Sequence, residues 1–373
     1  MSANIIKSDI YSVGVLNPQL RIFDVVMKTD YGTSYNSYIV KGSEKTALIE
    51  TCHLTFFEQY LNNIKSVCDP EKIDYIILNH CEPDHSGVLQ KLTEICKNAT
   101  IVVSRAGSIY LKNITNVQNL PLMIAKDGDS LDLGNKSLRF INAPFLHWPD
   151  SMFTYCEADK TLFSCDFLGA HFCEPYVFDT NIVYKTKYLI SLKEYYDAIF
   201  SPFNPYVVAG LEKISNLDVE IACTSHGPVL TKECLLPEVI EKYAEWSRPS
   251  EKLQKKIAVV FASAYGNTKL IANEIAIGIS EVISDSEVEL LDVNEIDMQT
   301  IQQKINFADA IVVGSPTINA DAVAPIWQAL SHIDAINSKK KPALVFGSYG
   351  WSGEAVPNIM TRLQGVKINV FGE

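Results

Sequence analysis

Four side chains able to hold a metal fall within six residues of this 373-residue chain. They are His80, Glu82, Asp84 and His85, in the stretch Asn79-His80-Cys81-Glu82-Pro83-Asp84-His85-Ser86. Imidazole and carboxylate at this spacing suit a transition metal better than a merely solvated loop. If the loop stays extended, His80, Glu82 and Asp84 share one side and Cys81 points away, because side chains alternate with period two. One loop cannot close a well-ordered site, so further donors are needed. Three are candidates: His147 after Ala143-Pro144-Phe145-Leu146, Asp166 after Thr161-Leu162-Phe163-Ser164-Cys165, and His226 in Thr224-Ser225-His226-Gly227-Pro228. Each sits just past a strand-like run, where side chains can reach a common edge.

A second chemistry lies towards the C-terminus. Ser263-Ala264-Tyr265-Gly266-Asn267-Thr268 joins an apolar run to a helix-like stretch. It lacks the Gly-Lys-Ser/Thr ending of a nucleotide P-loop. Its hydroxyls on Ser263 and Thr268, with the backbone N–H groups near Gly266 and Asn267, suit a phosphate monoester at a helix start. Two more loops belong with it. Ser315-Pro316-Thr317-Ile318-Asn319-Ala320 follows a third strand-like run, and Ser348-Tyr349-Gly350-Trp351-Ser352-Gly353 follows a fourth. Tyr265, Tyr349 and Trp351 suit a flat ring, while Gly350 and Gly353 allow close backbone approach. Together the three loops resemble the FMN-binding edge of a flavodoxin, in which a doubly wound sheet binds its ligand at the carboxyl ends of its strands.

The elements that must position these residues follow from periodicity. Strands are expected at Ile10 to Val15, Leu20 to Met27, Ser37 to Val40, Ala47 to Glu50, Asp74 to Leu78, Thr100 to Val103, Leu138 to Asn142 and Met152 to Tyr155. Helices are expected near Phe56 to Val67 and Gly87 to Cys96, so the metal loop lies between a buried strand and a helix. This alternation predicts two sheets packed together with helices outside. A charged stretch with Pro249, Trp246 to Lys256, marks a domain boundary, dividing residues 1–250 from 255–373. Beyond it the pattern is β-α alternation: Ile257 to Ala262, Thr268 to Val282, Val288 to Val293, Ala310 to Gly314, Ala322 to Ile333, Ala343 to Gly347 and Glu354 to Leu363. That is a parallel, doubly wound sheet. With the chain stopping at Glu373, Val366 to Phe371 is expected to supply only the opening of a fifth strand, so the sheet reads as C-terminally short.

Composition narrows the class. Hydrophobic content of 47% and charged content of 20% describe an ordinary globular protein. A net charge of -12 argues against a nucleic-acid surface. No apolar run reaches the ~20 residues of a membrane helix, and the first residues do not open a signal peptide, so a cytoplasmic address is expected. All nine cysteines lie between Cys52 and Cys234 without a C-x-x-C pair, which fits reduced thiols and no iron–sulfur or rubredoxin module.

The ligand pattern resembles the metallo-β-lactamase fold and, within it, the flavodiiron proteins. Hydrolases of that fold carry H-x-H-x-D-H, whereas this chain reads His80-x-Glu82-x-Asp84-His85. A carboxylate in place of an imidazole makes a harder, more anionic site, suited to iron over zinc. The resemblance implies that His80, Glu82 and His147 bind one iron, that Asp84, His85 and His226 bind a second, and that Asp166 bridges them. It implies that Tyr195 stands near the open face of the metals, with Tyr196 its neighbouring alternative. His171, five residues after Asp166, could orient a ligand or serve the core. Many members also carry a histidine in the loop that here reads Asp24-Val25-Val26-Met27. The implied activity is transfer of electrons from a rubredoxin-like donor through FMN to the diiron centre, which reduces dioxygen to water or nitric oxide to nitrous oxide. The implied assembly is a head-to-tail homodimer or a dimer of dimers. A metal-dependent hydrolase with a fused flavodoxin module is the alternative, against which Glu82 speaks.

Overall fold

The computed structural model describes residues 3–25, 27–115, 120–248, 254–331, 333–336 and 338–371, and it divides into two compact units, Met1–Arg248 and Pro249–Glu373. His332, Val26 and residues 249–253 of the expected linker lie outside the described residues.

In the first unit two sheets face each other. One has the strand order Asn4–Lys7, Ile10–Ser12, Tyr38–Lys41, Thr46–Ile49, Tyr75–Leu78, Thr100–Ser104 and Leu122–Ala125. The other runs Ser130–Asp132, Ser137–Asn142, Met152–Cys156, Thr161–Cys165, Ile221–Thr224 and Leu230–Thr231. Alternation along each strand decides what goes where. Ile49, Ile77 and Val102 meet Phe140, Met152 and Phe163 between the sheets. Their neighbours Leu48, Ile76 and Val103 face the opposite way, onto the helices Phe57–Lys65 and Leu89–Ile95. Both faces of Tyr75–Leu78 are therefore covered, which is why it reads as an unbroken apolar run. On the outer face of the second sheet, Phe153, Leu162 and Ala222 pack under Lys185–Ile199, Asn204–Ser215 and Leu236–Ser247. The result is the helix–sheet–sheet–helix sandwich of the metallo-β-lactamase fold.

The second unit is a parallel sheet in the order Ser286–Asp292, Lys255–Phe261, Ala310–Ile318, Pro342–Ser348, Asn369–Phe371. This 2-1-3-4-5 order is the flavodoxin-like winding. The fifth strand is present, with Asn369 to Phe371 paired in parallel to Pro342 to Leu344. Among the described residues, no helix is long and apolar enough to cross a membrane.

Three local expectations are corrected. Leu20 to Met27 is not one strand but two short pieces, Ile22–Phe23 and Met27–Lys28, around a turn in which Asp24 and Val25 both take left-handed backbone. The metal loop does not stay extended, because Pro83–Ser86 is one helical turn, with Pro83 at its first position and Glu82 accepting the His85 and Ser86 N–H groups. The third strand of the second unit runs on through Ile318, so Asn319-Ala320 is the tip of a hairpin with Asp321–Ala322, both tip residues left-handed.

Candidate metal and flavin sites

His80, Asp166 and His226 lie within two residues of the ends of Tyr75–Leu78, Thr161–Cys165 and Ile221–Thr224. The Pro83–Ser86 turn rotates Asp84 and His85 away from His80 and Glu82, and six of the seven candidate ligands separate into two groups of three. Glu82 Oε2 lies 3.1 Å from both His80 Nε2 and His147 Nε2. Asp84 Oδ2 lies 3.0 Å from His226 Nε2, and Asp84 Oδ1 lies 3.4 Å from His85 Nε2. The extended-loop expectation that Asp84 shares a side with His80 and Glu82 is therefore wrong.

Asp166 reaches both groups. Its Oδ1 sits 3.2 Å from His85 Nε2 and 3.3 Å from His226 Nε2, while Oδ2 sits 3.7 Å from His147 Nε2 and 3.9 Å from His80 Nε2. One carboxylate oxygen thus faces each group. Both oxygens of Asp84 are buried without a hydrogen bond, although His226 is 3.0 Å away. The short distance without bonding geometry means that Asp84 and His226 face a shared centre rather than each other, whereas Glu82 Oε2 is within hydrogen-bond reach of His80 Nε2. Buried acceptors left unpaired are costly, and a cation between them is the chemistry that satisfies them. The donor set therefore fits a pair of cations.

The far nitrogens of the histidines are held as metal ligands require. His80 Nδ1 is 3.2 Å from each oxygen of the buried Asp150, whose Oδ2 also accepts the Cys81 N–H at 2.8 Å. His226 Nδ1 donates to the Ser34 carbonyl at 2.7 Å. In the neutral ring that a metal would bind, an acceptor on Nδ1 keeps the hydrogen there and turns the Nε2 lone pair to the centre. Asp150 escaped the sequence reading, although a carboxylate three residues past His147 was its visible signal. Burial raises Asp150, but His80 and the Cys81 N–H outweigh it and hold the carboxyl below its usual range.

A small cavity opens over this cluster, bordered by Phe23, Asp24, Met27, His171, Tyr195 and Ile199 besides Glu82, Asp84, His147, Asp166 and His226. Tyr195 is buried, and its OH donates to Asp166 Oδ1 at 3.1 Å. Tyr196 turns the other way, its OH meeting Asn204 Oδ1 in a cluster with Tyr243 and Trp246. His171 packs on Phe23 and Tyr195, with Nδ1 2.9 Å from Thr33 Oγ1 and Nε2 buried without a partner. Burial, helped by His226, keeps it well below its ordinary value and so neutral. Asp24 is pushed up to about 7, first by burial and then by Glu82. Cys81 points away from the ligands, its Sγ near the Gly107 carbonyl. His53 caps the short turn Leu54–Phe56 and takes no part.

In the second unit the three loops emerge at the carboxyl ends of Lys255–Phe261, Ala310–Ile318 and Pro342–Ser348. Gly266 has φ +89° and starts the helix Asn267–Val282 without a side-chain cap, and a Cβ there would meet nothing within 4 Å. The first N–H groups of a helix have no partner inside it, so this open cradle suits a phosphate. Ser263 Oγ accepts from the Gly266 and Lys269 N–H groups, and Thr268 Oγ1 pairs with Ser348 Oγ at 2.8 Å. Ser315 is buried and engaged within its own loop, with its hydroxyl donating to the Pro316 carbonyl and accepting the Val323 N–H. Thr317 Oγ1 accepts the Ala355 N–H at 3.3 Å. Trp351, Tyr265 and Tyr349 are 96%, 93% and 67% exposed. Large aromatics left in water on one sheet edge mark a binding surface, and here they match a flat ring. At Gly353 a Cβ would sit 3.0 Å from the Tyr349 ring, so a side chain there would push that exposed ring by a few tenths of an ångström.

Residues 33–227 match the family described as ODP family beta lactamase, and residues 259–373 match Flavodoxin. The chain is 56% identical over 372 residues to the flavo-diiron protein FprA2 of Clostridium acetobutylicum, covering 100% of this chain and 93% of that one. It is 35% identical over 362 residues to the anaerobic nitric oxide reductase flavorubredoxin of Vibrio vulnificus, covering 96% of this chain and 72% of that protein. Rubredoxin:oxygen oxidoreductase from Desulfovibrio gigas superposes with a TM-score of 0.76 at 28% identity, covering 99% of this chain and 91% of that one. With near-complete coverage, a matching family over each unit and a donor set that fits two cations, the chain belongs to the flavodiiron protein family.

Proposed function

We propose that this chain takes electrons from a reduced rubredoxin-like carrier protein into FMN and delivers them to a non-haem diiron centre that reduces dioxygen to water, nitric oxide to nitrous oxide, or both. It is an oxidoreductase whose cofactors are FMN and a non-haem diiron centre. The observation that carries the reading is Asp166, whose two carboxylate oxygens face two separate histidine–carboxylate groups under one cavity. Bound ferrous iron supplies electrons and open positions for a diatomic ligand, while the flavin takes up and passes on electrons singly or in pairs.

The chain's own residues do the rest. His80, Glu82 and His147 would hold one iron, Asp84, His85 and His226 the other, and Asp166 would join them. Asp150 and the Ser34 carbonyl keep the Nε2 lone pairs of His80 and His226 aimed inward. Phe23, Met27 and Ile199 make part of the cavity wall apolar, which favours an uncharged gas over a charged ester or lactam. Tyr195, bonded to Asp166, fixes the orientation of the joining carboxylate and puts a hydroxyl on the cavity wall. In the second unit the Gly266–Thr268 turn would take the FMN phosphate, with Tyr265, Asn267, Thr317, Asn319, Tyr349, Gly350 and Trp351 around the rest of the cofactor. The assembly we propose is a head-to-tail homodimer or a dimer of such dimers, in the cytoplasm, with each flavin serving the metals of the partner subunit.

Anaerobic stopped-flow mixing of the dithionite-reduced protein with each gas tests the reading. Reoxidation of the flavin faster than that of the iron-free protein, with either gas, supports it. Identical rates with and without iron for both gases refute it.

A further inference from the structure

Glu50 belongs to none of the groups described above, yet it is 1% exposed and its side chain ends beside the candidate ligands. It closes the strand Thr46–Ile49 in left-handed backbone, φ +59°, a conformation that a non-glycine residue holds only when its surroundings enforce it. The enforcement is visible. The Glu50 N–H donates to the Ile77 carbonyl, and its own carbonyl accepts from Ser37 and Tyr60 hydroxyls. Glu50 Oε1 accepts the Asn79 N–H at 2.9 Å. Oε2 lies 3.5 Å from His85 Nδ1 without hydrogen-bond geometry and is buried with no hydrogen-bond partner, so the ring is the nearest group able to satisfy it. The next residue grips the same histidine, since the Thr51 N–H and hydroxyl both donate to the His85 carbonyl.

We propose that Glu50 is a positioning residue that makes His85 a direct Nε2 ligand of the second iron. The inference rests on the diiron reading above and deepens it. A carboxylate on Nδ1 fixes the tautomer, so that Nδ1 carries the hydrogen and Nε2 presents its lone pair to Asp84, Asp166 and the metal between them. Asp150 stands to His80 as Glu50 stands to His85, one buried acid on each Nδ1. The competing neighbour is the Cys165 thiol, 3.9 Å from the same nitrogen. A thiol donating to Nδ1 would enforce the opposite tautomer, with hydrogen on Nε2 and no ligand for iron. Burial pushes the Glu50 carboxyl up while His85 and His80 pull it back, and in its ionised form Glu50 only accepts and excludes that state.

Glu50→Gln separates the possibilities at constant shape. Its single oxygen is claimed by the Asn79 N–H, which leaves an NH2 group facing His85 Nδ1 and favours the wrong tautomer. Chelator competition on the full-length, FMN-loaded protein should show the weaker-held ferrous ion bound about 10–100-fold less tightly than in the parent chain. The other ion and the FMN content should be unchanged. In a His85→Ala background the same substitution should have no further effect, because Glu50 acts through that ring. Cys165→Ala should leave both affinities as they are. Equal ferrous affinity in Glu50→Gln and parent, or an equal loss with and without His85, overturns the proposal. A parent chain that holds no iron pair would instead sink the diiron reading beneath it. Should Glu50→Gln fail to fold, the zinc-loaded parent with 15N-labelled histidine gives the answer, with His85→Ala to assign the ring. Hydrogen on Nδ1 and a metal-shifted Nε2 support the proposal, and the reverse pattern overturns it.

Discussion

Loading iron into the metal-free chain must displace protons, and the structure sets how many. Burial alone would lower His80, but Asp150 and Glu82 more than reverse it and hold the ring at about 10. His226 is lifted against burial to about 9 by Asp166 and Asp84. His85 goes well above its ordinary value, burial again opposed by Asp84 and Asp166. All three shifts favour the protonated ring at pH 7 in the metal-free chain. Glu82 and Asp166, despite burial, are held far below the carboxylate range by the same histidines. Iron binds neutral imidazole, so filling both positions at pH 7 should release about three protons. The apparent affinity for the pair should then rise about 1,000-fold per pH unit near neutrality and flatten as pH passes about 9 and about 10. Folding of the metal-free chain follows the other sign. Raised histidines stabilise it fully below their unfolded value of about 6.5, and that stability is lost as pH climbs through about 9 to about 10. Depressed Glu82 and Asp166 act at the acid end, where stability is lost as pH falls below their unfolded values of about 4. Anaerobic ferrous titration in weak buffer counts the protons, and chelator competition across neutral and alkaline pH gives the slope. Release of fewer than about one proton per iron pair, or an affinity independent of pH, would refute the reasoning.

Three further outcomes are expected. Asp166→Asn keeps the shape but removes the charge shared by both groups, so at least one iron should be lost from purified protein, a fall in affinity of more than about 100-fold, with FMN content unchanged; elemental analysis showing two irons retained contradicts the assigned role. Glu82→His restores the hydrolase-like pattern, and should shift metal content from iron towards zinc and abolish gas reduction, as read by metal analysis and gas consumption. Mixing a metal-site variant (His147→Ala with Asp166→Ala) with a flavin-site variant (Gly266→Val with Thr268→Ala) should restore activity after subunit exchange, since one site in each heterodimer pairs intact FMN with intact metals. Inactive verified heterodimers would place transfer within one chain.

The candidate ligands were legible because strand ends announce themselves. Short apolar runs stop just before His80, Asp166 and His226, and the same rule located the three flavin loops. What failed was local geometry that depends on a single residue. Pro83 starts a helical turn in a loop otherwise extended, and this moves Asp84 from one ligand group to the other. The helix Lys185–Ile199, which carries Tyr195, buries Tyr188, Ser191, Leu192, Tyr195 and Tyr196. Tyrosine and serine on a core face do not register as an apolar stripe, so its periodicity was hidden. Asp150 and Glu50 contact ligands 70 and 35 residues away in the chain. No pattern of spacing encodes such a contact; only the packing of two sheets brings it about.

In the proposed function, reduction happens at the iron pair and not at the flavin. The most direct measurement compares iron-loaded and iron-free protein of equal FMN content, each fully reduced and mixed with limiting dioxygen, with hydrogen peroxide assayed at the end. Four electrons consumed per dioxygen and no peroxide are expected from the iron-loaded protein, and two electrons with stoichiometric peroxide from the iron-free one. Peroxide at the same yield from both would contradict it.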